Sequence, residues 1–116
     1  MSKKDGVLVL SLKKEWFDLM VAGKKRIEYR VPSEWIKSRL HDGKTNVKYK
    51  YDTIKFTNGY GSTKPQFVCK FKGFDIASEA ETVKFGKSIV SVKKGTYKIR
   101  LGNILSTRYV RNARKK

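Results

Sequence analysis

Acidic residues are missing from the last third of this 116-residue chain: all ten Asp and Glu lie in residues 1–81, while residues 82–116 carry eleven Lys and Arg. Cysteine and histidine are almost absent too. Cys69 has no partner for an internal disulfide, and with His41 as the sole histidine there is no Cys/His set for a zinc cluster. His41 lies in the polar stretch Leu40-His41-Asp42-Gly43-Lys44, which reads as an exposed loop, so no Ser-His-Asp arrangement is supported. Apolar runs such as Val7 to Leu10 fall far short of the about 18 residues a membrane span needs. The start, Met1-Ser2-Lys3-Lys4-Asp5, has neither an apolar stretch nor a small-residue cleavage site, so no secretory signal is read and the cytoplasm is the expected location. No phosphate-binding glycine loop of the G-x-x-x-x-G-K-[ST] or G-x-G-x-x-G type is found, and neither a metal nor a cofactor is expected.

What the chain has in excess is positive charge. Twenty-eight Lys and Arg give a formal net charge of +18. Solubility alone asks for a net charge of about 2 to 8, so the surplus points to a polyanionic partner. The surplus is uneven, with +7 in residues 1–81 and +11 in residues 82–116. From Ser106 onward apolar content nearly vanishes. Arg108, Arg111, Arg114, Lys115 and Lys116 form a basic tail, expected to be mobile alone and able to become helical against a polyanion. The remainder is long enough for one hydrophobic core, and six Phe, six Tyr and two Trp supply it with large side chains.

Hydrophobic periodicity gives a coarse order of elements. Val7 to Leu12 reads as a buried strand. Lys13 to Ala22 reads as a helix with 16, 19 and 20 on its apolar face and Gly23 as a left-handed cap. Arg26 to Val31 alternates with period two, which sets Ile27, Tyr29 and Val31 on one face and Arg26, Glu28 and Arg30 on the other. A second helix begins at Pro32-Ser33, with Trp35, Ile36 and Leu40 as its apolar positions. Residues 41–50 read as a loop. Strands follow at 52–58, 65–76 (with a bulge at Gly73), 82–85, 88–92 and 96–101. Trp16, Phe17, Trp35, Phe56, Phe67 and Phe71 fall at spacings expected of core residues. Tyr60, in Asn58-Gly59-Tyr60-Gly61, can either stack on an unpaired base, with Asn58 reading its edge, or merely cover the core beside a tight turn. The pattern predicts an α+β domain whose sheet curls into a barrel.

Leu10-Ser11-Leu12, Trp16 to Met20 and Ala22-Gly23-Lys24-Lys25-Arg26-Ile27-Glu28-Tyr29-Arg30 resemble the ASCH domain, whose signature is a strand, a helix and a G-x-K-x-x-E-x-R segment. Gly23, Lys25, Glu28 and Arg30 fill its four places. Ile54 to Tyr60 and Tyr97 to Leu105 are also similar to small single-domain members, so the resemblance covers residues 1–105 and leaves 106–116 as the basic tail. It implies a PUA-like mixed β-barrel with two short helices near the N-terminus and a positively charged cleft that binds RNA or a nucleotide. Lys25, Glu28 and Arg30 would meet there, with Asn58 and Tyr60 beside them. Arg30 can act as a bidentate donor, and Glu28 can orient it or accept from a base amino group. The expected partner is RNA, single-stranded or structured, alone or within a larger ribonucleoprotein, with no membrane.

The family also implies an alternative from another class. Its small amidohydrolases deacylate acetylated cytidine nucleosides with a lysine, a threonine and a glutamate. Lys25 stands at the lysine place, Glu28 at the threonine place, and Glu79 or Glu81 at a position the glutamate can take. A ribonuclease would instead use Lys25 with Tyr29 or Tyr60. In either enzyme Lys25 and Glu28 are the catalytic candidates, with burial and Arg30 lowering the Lys25 pKa.

Overall fold

The computed structural model describes residues 2, 3, 6–59 and 63–108. Among them, strands β1 (Ser2–Lys3) and β2 (Val7–Ser11) are followed by helix α1 (Lys14–Val21), strand β3 (Ile27–Arg30) and helix α2 (Glu34–Leu40). The rest is all strand: β4 (Tyr49–Lys50), β5 (Thr53–Thr57), β6 (Gln66–Ile76), β7 (Glu81–Phe85), β8 (Ser88–Val92) and β9 (Tyr97–Arg108). The fold is α+β, with a curled half-barrel sheet consistent with a PUA-like barrel.

Alternation explains how the sheet buries one face. In β5, Ile54 and Phe56 point inward, and Phe67 and Cys69 of β6 oppose them in register. The main sheet runs β2-β5-β6-β9-β3, parallel between β2 and β5 and antiparallel elsewhere. β6 and β9 form its long spine. Their register shifts between Val68 and Cys69, between Cys69 and Phe71, and between Phe71 and Phe74, where Gly73 adopts φ +91°. Such irregularities bend a ribbon and raise its twist, so the outer strands swing toward each other. Phe17 and Met20 of α1 and Ile36 and Leu40 of α2 fill the concave side, with the Phe17 ring edge-on to Phe67 at 5.2 Å.

Several expectations change once the elements are placed. The run Val7 to Leu12, expected to be buried throughout, has only one face inside: Leu8 and Leu10 are buried, Val7 and Val9 exposed. Strand alternation turns Leu8 and Leu10 into the core cluster and leaves Val7 and Val9 on the opposite face of the sheet. The inward stripe of α1 is Phe17 and Met20, with Trp16 and Leu19 half-buried at its margins. Trp35 is not core; it is 47% exposed and lies against the Arg39 guanidinium, 5.0 Å from its ring centroid. Phe71 is only partly buried. The stretch read as loop at 41–50 contributes β4, which pairs in parallel with β1. β9 continues through Ser106 and Thr107 to Arg108, which stands opposite Gln66.

Candidate nucleic-acid interface

The site grows from the end of α1. Gly23, at φ +78°, closes the helix with a left-handed turn in which its N–H donates to the Met20 carbonyl and the Lys24 N–H to the Leu19 carbonyl. A residue with a β-carbon resists this conformation, which accounts for glycine at the first place of the motif. The turn reverses the chain and sends Lys25 inward, where it is 2% exposed. β3 then begins, and its period-two geometry puts Glu28 and Arg30 on one face.

That face is the inner one, because Glu28 opposes Ile99 and Arg30 opposes Tyr97, both core residues of β9. The more apolar face of β3, with Ile27 and Tyr29, opposes Arg100 and Lys98 instead. A carboxylate is thus aimed into the barrel interior, at 5% exposure, a placement that costs several kcal/mol unless both oxygens are satisfied. They are. Lys25 Nζ donates to Glu28 Oε1 at 3.3 Å and Arg30 Nε to Oε2 at 2.6 Å.

Lys25 has further partners. Its ammonium donates to the Ile27 carbonyl at 2.5 Å and lies 5.4–5.6 Å from the ring centroids of Trp16, Tyr29 and Phe85. Phe85 arrives on the β7–β8 hairpin, which is tied to α1 by a Ser88 hydroxyl donating to Glu15 at 2.5 Å. Burial pulls the Lys25 pKa below its ordinary value, the attraction and hydrogen bond of Glu28 oppose that fall, and Arg30 adds a smaller push downward. The Tyr29 pKa is raised, first by burial and then by Glu81, so its phenol stays protonated at neutral pH.

Arg30 also closes the barrel seam. β2 and β3 are the two edges of the main sheet, and Arg30 Nη2 reaches across to donate to the Ser11 carbonyl at 2.6 Å. Beside it Asn58 Nδ2 donates to the Leu12 carbonyl at 3.0 Å, fixing the exit of β2. An open cleft of about 430 Å³ lies over this seam, lined by Ser11, Leu12, Lys13, Trp16, Glu28, Tyr29, Arg30 and Gly59. Its floor is ionic, one wall is aromatic and an exposed lysine stands on its rim.

The sequence-derived residues therefore divide. Lys25, Glu28 and Arg30 form one connected network, and Asn58 holds the adjacent backbone. Arg108 lies on β9, while Tyr60, Arg111, Arg114, Lys115 and Lys116 fall outside the described residues. Glu81 pairs with Lys98, Glu79 is exposed, and neither lines the cleft. Trp16, assigned to the core by its spacing, is a half-buried cleft wall. Lys13 and Phe85 carried no sequence signal as site residues; the position of Trp16 at the margin of the α1 stripe was the one clue available.

No helix among the described residues is long and apolar enough to cross a membrane. No curated protein and no solved structure matches the chain. The ASCH domain family model matches residues 10–42, the stretch running from β2 through the Lys25-Glu28-Arg30 network to the end of α2. At the level of that family an ASCH domain implies a PUA-like RNA-binding module, and the match over residues 10–42 supports an ASCH-type reading of that part of the chain.

Proposed function

We propose that the protein binds RNA, single-stranded or structured, in the cytoplasm, and that the seam cleft accepts one nucleotide. The observation that carries this reading is the coupling of Glu28 to two cations beneath an open cleft whose walls include Trp16 and Tyr29. Arg30, with a quarter of its side chain exposed, spends one N–H on Glu28 and another on Ser11, which presents a pre-oriented planar donor to a phosphate or base edge. Trp16 and Tyr29 offer ring surface on which a splayed base can stack. Residues 1–105 would be the nucleotide-reading unit, and the basic segment 106–116 would add contacts to flanking phosphates.

The hydrolase and ribonuclease readings require Lys25 as a neutral amine able to reach substrate. Its ammonium is instead enclosed by three rings and donates to a carbonyl and a carboxylate, an arrangement that favours a cation held in place. Incubation with acetylated cytidine and with labelled single-stranded RNA separates the classes. The expected result is RNA binding without turnover of either, with affinity falling steeply between about 50 and 200 mM salt. Turnover that disappears in Lys25→Met would replace the binding reading with an enzymatic one.

A further inference from the structure

A second cleft, of about 460 Å³, shares no lining residue with the seam cleft. It opens between β4 and the bulged stretch of β6, and Arg100 of β9 also lines it. Its origin is local. Gly73 interrupts the pairing of β6 with β9, and a β-carbon there would stand 3.3 Å from Arg100 Nη2, so the guanidinium lies against bare backbone. Arg100 is paired with Asp75, and Lys48 donates to the Phe74 carbonyl at 3.1 Å while lying 4.8 Å from the Phe74 ring centroid. Lys48 and Arg100 are thus anchored. Lys50 and Lys72 are exposed, and among the described residues neither is paired with a carboxylate.

The lining therefore sets four cations against one carboxylate, with the half-buried rings of Tyr49 and Phe71 among them. Cations that track a phosphodiester chain, interleaved with rings on which bases stack, are how single-stranded nucleic acid is held without a groove-reading helix. We infer that this β4–β6 cleft is a second contact site for single-stranded RNA, with phosphates at Lys50 and Lys72 and a base against Tyr49 and Phe71. The inference takes from the proposed function only the premise that the ligand is RNA; it does not need a nucleotide in the seam cleft.

The test is anisotropy of a labelled single strand of about 12 nucleotides, measured across salt with the full chain. It compares wild type, Lys50→Ala/Lys72→Ala, Lys13→Ala at the seam rim, and Lys93→Ala/Lys94→Ala, which removes two exposed lysines lining neither cleft. Loss of two phosphate contacts lowers the slope of log affinity against log salt by about 1.4 and the affinity at about 0.1 M salt on the order of tenfold. The expected result is that loss in the Lys50/Lys72 variant and a clearly smaller one in the Lys93/Lys94 variant. Equal losses in both double variants, or none in the first, overturn the second site. So does a Glu-rich peptide that binds the wild type as tightly as RNA and suffers the same loss, which would make the cleft an acidic-protein site. Loss in the Lys50/Lys72 variant with Lys13→Ala unchanged would count against the seam cleft alone; the reverse would remove the second cleft and leave the seam.

Discussion

Glu28→Gln perturbs the network at its centre. The substitution keeps the shape of the side chain but removes the one anion between Lys25 and Arg30, and it replaces an acceptor oxygen with an NH₂ facing a donor. The two cations lose unequally. Arg30 has a quarter of its side chain in solvent, which can screen it, whereas Lys25 is 2% exposed. Leaving a buried charge without its partner costs about 3–5 kcal/mol. The three rings and the Ile27 carbonyl still stabilise the ammonium, so the lower end of that range, about 3 kcal/mol, is expected here, with a fall in melting temperature on the order of 10 °C.

The deficit should also depend on pH, with a definite sign. The folded-state pKa of Lys25 already lies below its ordinary value through burial, and removing Glu28 takes away both influences that raise it. Between that lowered pKa and the ordinary lysine range the unfolded chain holds a proton that the folded protein has shed, so stability rises with pH. Wild type follows the same sign over a narrower window, because Glu28 opposes the shift. Urea melts from about pH 6 to 10 should therefore show the Gln variant far below wild type at the acid end and converging on it at the alkaline end. Lys25→Met/Glu28→Gln, which removes the buried cation together with its partner, should recover most of the loss. A deficit below about 1 kcal/mol, or one that does not change with pH, would refute the account of a buried, mutually dependent pair.

Two other predictions concern the scaffold. The Cys69 thiol is fully buried and its pKa is pushed up to about 11, first of all by burial, so a disulfide reagent at about pH 8 should label it only after unfolding; rapid labelling of the folded protein would contradict its buried position on β6 opposite Ile54. Gly73→Ala places a side chain at φ +91° and crowds Arg100, so the variant should lose roughly 1–3 kcal/mol by thermal or urea melts, and wild-type stability would mean the bulge is not held as described.

Three of the four places of the motif were legible before the structure because they answer to local rules, whereas the burial of Lys25 depends on tertiary contacts with Trp16 and Phe85. Gly23 serves a left-handed helix cap, and Glu28 and Arg30 share a face by strand periodicity. Period two could not say which face of β3 points inward. The more polar face does, because Lys25 and Arg30 neutralise Glu28 there, and a reading in which apolar residues must face the core fails at such a site. Trp35 was misassigned for a related reason: helical spacing identifies a stripe, but its margin is set by what α2 packs against, and on that side Arg39 covers the ring instead of the core. Phe85 and Lys13 belong to the site only through tertiary closure, by a hairpin and a seam between strands distant in sequence, and no local pattern marks them.

The central claim, a nucleotide in the seam cleft, is tested most directly by the emission of Trp16. Trp35 is the other tryptophan of the chain and lies on α2 outside the cleft, so Trp35→Phe leaves Trp16 as the sole indole reporter. Titrating that variant with a short single-stranded RNA should quench or shift the emission along the same curve as anisotropy of the labelled RNA, and the change should weaken in Lys13→Ala. RNA binding that saturates by anisotropy while the Trp16 emission stays constant would place the nucleotide elsewhere and contradict the account.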